Sequence, residues 1–460
     1  MTLLDVFLGI VSEWIDVFPQ ARTTKRAIRQ GLVSLICLGR RTLSRIIWAS
    51  GNERGSWSAE YFVHSRSPWL PEDLFVPTVK RALGFCRGQL LGVVVDDTST
   101  KKTGKRIKQA FFSRDPMSPP FHPNLRLGIR FLHFAIVVPL HKTLKVAART
   151  IPIRFQEVGI AKKPRKGTKH YLEKMKEYKE LKKVQNLTVR ARQAFVKVRE
   201  SFDLAGAVKK TIVIIGDGAF CNRQIFSFDV ERMHLLVRCR KDLKLCWRSR
   251  SDRRFYDEKT FTPLEILKDS SVGWQKRRIF FGGKNRTVLF KEVTDVLWQT
   301  GAKRRFLRLF VLQSTRYRVR KSGRLERRDP SFLLTTMTEG HTQSLLQLYF
   351  DRWQIEVNHR ELKDTFHIGQ AQLHNPIAVP KQPALVVAAY SALLLASLIA
   401  HGPERTEVYE PLPRWRANAK RPSALDLATL LRKQIVENTK VQSEIGVQMT
   451  FATLASAAAA

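Results

Sequence analysis

The sequence predicts an α/β fold: a mixed sheet flanked by helices, interrupted by a β-rich insertion and preceded by a helical N-terminal domain. Three observations carry this. Apolar runs of strand length end in acids at "QLLGVVVDDTST" (89–100) and "KKTIVIIGDGAFCNR" (209–223). A long charged stretch of helical character, 169–200, stands between them. Short strand-like runs with Gly, Asn and Lys turns then fill 224–336.

The elements follow in order. Residues 1–80 are expected to be helical. "TTKRAIRQGLVSLICLGRRTLSRIIWASG" alternates basic and apolar residues near the 3.6-residue period, with Gly breaks at 31, 39 and 51. Short basic helices between tight turns suit a helix-turn-helix-like DNA reader; a plain bundle with a basic exterior fits the same pattern. Residues 81–223 hold the strand at 89–100, a second apolar run, "GIRFLHFAIVVPL" (128–140), the 169–200 helix and the third strand. The helix places Leu172, Met175, Leu181, Val184, Leu187 and Val196 at apolar positions. Strands this apolar are buried on both faces, which calls for helices above and below the sheet.

The insertion at 224–336 contains "MHLLVRC", "RRIFFGG", "RTVLFKEV", "RFLRLFVLQSTRYRV" and "SFLLTTM". Residues 337–402 return to helix. There "ALVVAAYSALLLASLIA" (384–400) runs 17 residues without charge, at the short edge of a membrane span. Its Ala and Ser content favours a buried core helix, and no membrane is expected. Residues 403–460 give a Pro-rich basic segment, an amphipathic helix near 424–436 and an Ala-rich tail.

Composition limits the function. Lys and Arg number 81 against 40 Asp and Glu, a formal charge of +41. Self-repulsion on that scale calls for a polyanionic partner, and nucleic acid leads. Five cysteines without a CxxC pair argue against a disulfide framework and a zinc ribbon, and for a reducing, cytoplasmic compartment. The N-terminal run "MTLLDVFLGIVSEWIDVF" carries early acids and no basic leader, so it is expected to be an amphipathic helix.

The chemistry centres on "YFDRWQIEVNHRELK" (349–363). At roughly 100° per residue, Tyr349, Arg352, Glu356 and Lys363 fall within an arc of roughly 100° of one helix face. Arg and Lys hold phosphate oxygens, Tyr donates or stacks, and Glu ligates a divalent metal. A salt-bridge ladder fits the same spacing. Asp96, Asp97 and Asp217 end strands of the expected sheet. Carboxylates there, completed by one from a helix, make an oxygen-only site for two Mg²⁺, suited to phosphodiester chemistry.

The spacing Tyr-x2-Arg-x3-Glu-x6-Lys resembles the YREK signature of DDE-type bacterial insertion-sequence transposases, family four and its neighbours. "VVVDDTSTKKTGK" and "IVIIGDGAF" resemble the two aspartate motifs of that family. The resemblance covers roughly 90–400 and implies a ribonuclease-H-like core with a β-rich insertion between Asp217 and Glu356. It implies Asp96, Asp217 and Glu356 as metal ligands, with Mg²⁺, or Mn²⁺ in its place. It further implies phosphate contacts from Tyr349, Arg352 and Lys363, and a homodimer on DNA in the bacterial nucleoid. The first motif has two registers, Asp96-Asp97-Thr98 and Asp97-Thr98-Ser99. Adjacent strand residues face opposite sides, so one enters the site; Asp96 is favoured and Asp97 stays open. Trp298, in "DVLWQTGAKRRF", is the candidate for stacking on a displaced base. The expected activity is cleavage of element ends and transfer of the 3′-hydroxyl strand to target DNA. The rivals are an inactive DNA-binding derivative and a structure-selective nuclease.

Overall fold

The computed structural model describes residues 1–115, 118–119, 121–140, 147–317 and 323–459. The last two residues of the run ending at 319 therefore lie outside the described residues.

Residues 1–80 are helical: α1 (Leu3–Val11), α2 (Ala21–Ile36), α3 (Leu43–Ala49) and α4 (Trp57–Ser65), with α5 (Val76–Ala82) running just past them. Thr2 and Asp5 form a capping box that starts α1. The strands are β1 (Leu90–Lys101), β2 (Phe111–Arg114), β3 (Leu125–Val138) and β4 (Arg149–Glu157). The 169–200 stretch divides into two helices, α6 (Tyr171–Val184) and α7 (Leu187–Leu204). Asn186 caps the second, its side chain accepting from the Val189 N–H at 3.0 Å. A single-helix reading missed this restart because Asn is both a helix residue and an N-cap.

The chain continues through β5 (Thr211–Gly216), α8 (Arg223–Phe226), β6 (Met233–Arg238), β7 (Leu245–Arg248), β8 (Tyr256–Phe261) and α9 (Pro263–Lys268). Next come β9 (Gln275–Phe281), β10 (Lys284–Leu297), β11 (Phe306–Leu312), β12 (Thr315–Tyr317), β13 (Glu326–Arg328) and β14 (Ser331–Thr335). The remaining helices are α10 (Thr342–Asp351), α11 (Trp353–Arg360), α12 (Ala378–His401), α13 (Ala424–Glu437), α14 (Thr439–Ile445) and α15 (Phe451–Ala459).

One large mixed sheet runs β2-β3-β1-β5-β6-β14-β11-β10-β7-β8, with β4 on β3 and β9 on β10. β1 pairs antiparallel with β3 and parallel with β5, and β5 pairs parallel with β6. This mixed order, with helices on the sheet, is consistent with a ribonuclease-H-like fold. The expected boundary at 224 falls before β6, which belongs to the central strands. From β14 outward the strand-rich segment extends the same sheet rather than standing apart, because Leu333–Thr335 completes the free edge of β6.

Alternation along β1 feeds two apolar layers. Val93 and Val95 join one cluster with residues of α1, α2, α7 and α12. Val94 joins the other with Val213, Ile215, Leu345, Leu346 and Ile355. Thus α10 and α11 cover one face and the longer helices the other. Gly92 permits this: a Cβ there would collide with Leu348 of α10.

The uncharged run forms most of α12. Its most apolar window is 89% buried, and α12 packs on α1, α2 and β4. It is a core helix, as its Ala and Ser content indicated. The N-terminal helices share its core, so residues 1–80 are not a detached unit. Part of their positive charge is structural: Arg29 is buried, pairs with Glu60, and donates to the carbonyls of Ile445 and Gly446.

Candidate active site

Three elements converge midway along β1 and just past the C-terminal end of β5; Asp96 and Asp97 do not end their strand as expected, because pairing with β3 carries β1 on to Lys101. Val94 stands beside Ile215 in the parallel pairing. Two residues further along each chain come Asp96 and Asp217, on the same face as those valine and isoleucine side chains. That face carries α11, whose Ile355 is fully buried in the same cluster. Glu356 follows it.

The register question is thereby answered geometrically. Asp97 follows Val93 and Val95 to the opposite side, where its carboxylate accepts from Arg130 Nε at 2.7 Å and Nη2 at 2.8 Å. Asp96 instead borders a cavity of about 870 Å³ with Asp217, Arg352 and Glu356. Basic residues line the cavity as well: Arg238, Arg240 and Lys241, from the end of β6.

Each carboxylate is held. Asp96 Oδ1 accepts from the Asp97 N–H at 2.8 Å. Asp217 caps the turn Gly218–Phe220, accepting from the Ala219 N–H at 2.9 Å. Glu356 Oε1 accepts from Arg352 Nη2 at 3.1 Å. The helix under Glu356 is anchored twice: Asn358 Nδ2 donates to the Thr150 carbonyl at 3.1 Å, and Tyr390 Oη donates to Asn358 Oδ1 at 3.2 Å.

Burial, and then the Asp217 charge, push the Asp96 carboxyl up to about 7. Arg352 offsets part of this. Two carboxylates that oppose each other's ionisation invite a cation between them.

The single helix face expected over 349–363 is not what forms. The helix breaks at Arg352, and a π-helical turn follows at Glu361–Thr365. The count at 100° per residue holds from Arg352 to Glu356, which bond at i,i+4, and is interrupted by the π turn before Lys363. Arg352 and Glu356 reach the cavity. Lys363 lies beside it: burial and Arg126 push its ammonium down, while Asp96 and Asp97 act the other way. Tyr349 is half-buried against Phe350, ring centroids 5.7 Å apart, and is not among the cavity-lining residues. Trp298 corrects an expectation. It is 8% exposed, edge-on to Phe226 at 5.4 Å, with its Nε1 donating to Thr300. Gly301 leaves the room its ring fills. In this conformation it offers no face to a base.

Sequence reasoning missed Arg238, Arg240 and Lys241, although "RCRK" directly follows a buried strand. It also missed a histidine pair. His359 Nδ1 stands 3.9 Å from Asp96 Oδ2, and its ring is 5.1 Å from that of His133. Burial lowers His133 to about 3 and His359 well below the usual imidazole value, so both are neutral at pH 7. His359, one turn after Glu356, was legible from spacing. His133 emerges only from the register that sets it opposite Asp96.

The cavity thus defines a class: three carboxylates among Arg238, Lys241 and Arg352, with Arg240 paired to Asp242 on the same lining, a set suited to phosphodiester chemistry. Residues 188–392 match the family model of the transposase DDE domain. That region includes Asp217, Arg352, Glu356 and Lys363; Asp96 precedes it. The match likens this part of the chain to the DDE domains of transposases. DDE transposases generally use divalent metal ions. No curated protein matches the chain.

The donor set fits such an ion. Asp96, Asp217 and Glu356 offer only hard oxygen donors, and the mutual repulsion at Asp96 is what a cation relieves. Among the described residues no three acidic, His or Cys side chains already stand as a preformed metal-binding group. Asp96 and Asp217 border the cavity together, and Glu356 is held on it by Arg352.

Proposed function

We propose that this chain is a DNA transposase of the YREK-bearing type, insertion-sequence family four and its neighbours. It cleaves the ends of its element and transfers the 3′-hydroxyl strand to target DNA. The observation that carries the reading is the shared cavity: Asp96, Asp217 and Glu356 line it together with Arg238, Arg240, Lys241 and Arg352.

In this reading Asp96 and Asp217 hold Mg²⁺, or Mn²⁺, with Glu356 as the third ligand. The bound ion supplies Lewis-acid neutralisation of the phosphate and a lowered pKa for the attacking water or hydroxyl. The basic residues of the lining, Arg352 among them, position the phosphodiester. Lys363 grips a neighbouring phosphate. Asp97 and Arg130 brace the strand from behind and take no part in the chemistry. The working form is a homodimer that holds two ends, in the cytoplasm on the nucleoid.

Three carboxylates kept on one cavity in so basic a chain weigh against an inactive DNA-binding derivative, which has no use for them. The test is Mg²⁺-dependent cleavage of DNA carrying the inverted repeats that flank the gene. Glu356→Gln should bind this DNA as the parent does and cut it at least about a hundredfold more slowly. Unimpaired cutting by that variant removes the assignment.

A further inference from the structure

Helix α6 has no use in the fold that its burial explains. None of its fourteen residues is buried. Tyr171, Met175, Tyr178 and Leu181 form a half-buried stripe toward the body, while Leu172 is 77% exposed. Its cations outnumber its acids: Lys174, Lys176, Lys179, Lys182 and Lys183 are exposed, against Glu173, Glu177 and Glu180. Lys183 Nζ donates to Glu180 at 2.7 Å, while Lys176 and Lys179 share an exposed face at i and i+3. The surplus leaves a cationic edge.

That edge continues at the foot of the helix. Lys162, Lys163, Arg165, Lys166 and Lys169 precede it, all exposed. Lys162 Nζ donates to the Lys108 carbonyl at 2.8 Å, which seats this segment on the loop after β1. In that loop Lys101, Lys105, Arg106 and Lys108 are exposed and no acid occurs between 101 and 109. β1 itself runs from Asp96 to Lys101, a span of roughly 17 Å at strand rise. The cationic edge therefore begins within a duplex diameter of the cavity and leads away from it.

We propose that α6, with 162–169 and the 101–109 loop, forms an arm that grips the phosphate backbone of duplex DNA outside the cavity. The occupant follows from charge complementarity: exposed cations in the loop after β1, in 162–169 and along α6 match a regular polyanion and no particular base sequence. The inference rests on the reading of this chain as a DNA enzyme.

The experiment uses the full-length protein with chelator present, so that nothing is cut. Binding of a labelled duplex of about 30 base pairs and arbitrary sequence is followed by anisotropy from about 50 to 300 mM salt. The variant Lys176→Ala/Lys179→Ala keeps the helix, since Ala favours it; circular dichroism verifies this. The slope of log affinity against log salt should become shallower by about 1.8, and affinity should fall several-fold. The companion Glu173→Gln/Glu177→Gln, on another face, should keep at least the parental slope. A lysine variant that binds with the parental slope overturns the arm. So does a lysine variant that loses binding to phosphatidylserine vesicles while its duplex binding is intact. If the parent itself binds no duplex, the proposed function fails as a whole, a result distinct from either.

Discussion

The two adjacent aspartates should respond to the same substitution with opposite signs. Asp96 folds with its carboxyl raised from 3.8 to about 7 by burial and by Asp217. A rise of about three units corresponds to about 4 kcal/mol held against the ionised form. The sign follows from proton binding. Between pH 4 and 7 the folded state keeps a proton that the unfolded chain has released, so wild-type stability falls as pH rises through this window. Asp96→Asn removes the charge and retains an oxygen to accept from the Asp97 N–H. It should stabilise the metal-free protein by about 2–4 kcal/mol at pH 8, and by little at pH 4. Asp97→Asn breaks the two-bond pair with Arg130 and leaves a half-buried guanidinium without its carboxylate. It should destabilise by about 1–3 kcal/mol at pH 8. Urea unfolding at pH 4 and pH 8 with chelator present measures both. If both variants shift in one direction at pH 8, the opposed placement of these side chains is refuted. Activity should divide the same way, with Asp96→Asn inactive and Asp97→Asn active in proportion to the folded protein remaining.

Two further outcomes are expected. Lys363→Ala should weaken binding of element-end DNA at moderate salt and lower its salt slope by about one, through loss of one phosphate contact; parental binding would leave Lys363 with a structural role only. His64 is fully buried, with Nε2 at 2.7 Å from Gln30 Oε1, and burial lowers it to about 3. An imidazole depressed in the fold contributes stability above its unfolded value near 6.5 that is lost as pH falls toward 3, about 5 kcal/mol over the whole window. His64→Gln should flatten the acid limb of a pH series of thermal melts, and an unchanged limb would show that His64 does not govern it.

The parts of the site that rest on strand alternation were legible in the sequence. "VVVDD" and "IVIIGD" announce buried strands that carry acids, and buried strands must be covered on both sides, though β1 runs on past its acids to Lys101. Which aspartate enters the site was not legible, because that depends on which face of β1 receives α11. Asp97 has a partner in Arg130, but the antiparallel register that brings them together is a long-range fact. The helix at 349–363 shows the opposite failure. Its expected single face holds only for Arg352 and Glu356, since neither the restart at Arg352 nor the π turn has a Gly or Pro to mark it. Trp298 misled because an exposed aromatic and a buried one are identical in sequence. Its burial depends on Phe226 and Gly301, only one of them a near neighbour. The segment 224–336 showed its strands clearly, yet not that they would continue the central sheet, because edge pairing between β6 and β14 spans about a hundred residues of chain.

The anchoring of α11 by Tyr390 has a consequence in time. Asp96 leaves the ribosome early, but the helix bearing Glu356 is tied to α12, and α12 packs on α1 from the opposite end of the chain. Closing contacts across almost four hundred residues is slow, since the chain must give up its loop entropy before those contacts repay it. The carboxylate cavity should therefore be among the last parts to mature. A translation product that stops short of residue 390 carries both aspartates without the Tyr390 anchor of α11, and should be silent rather than partly active.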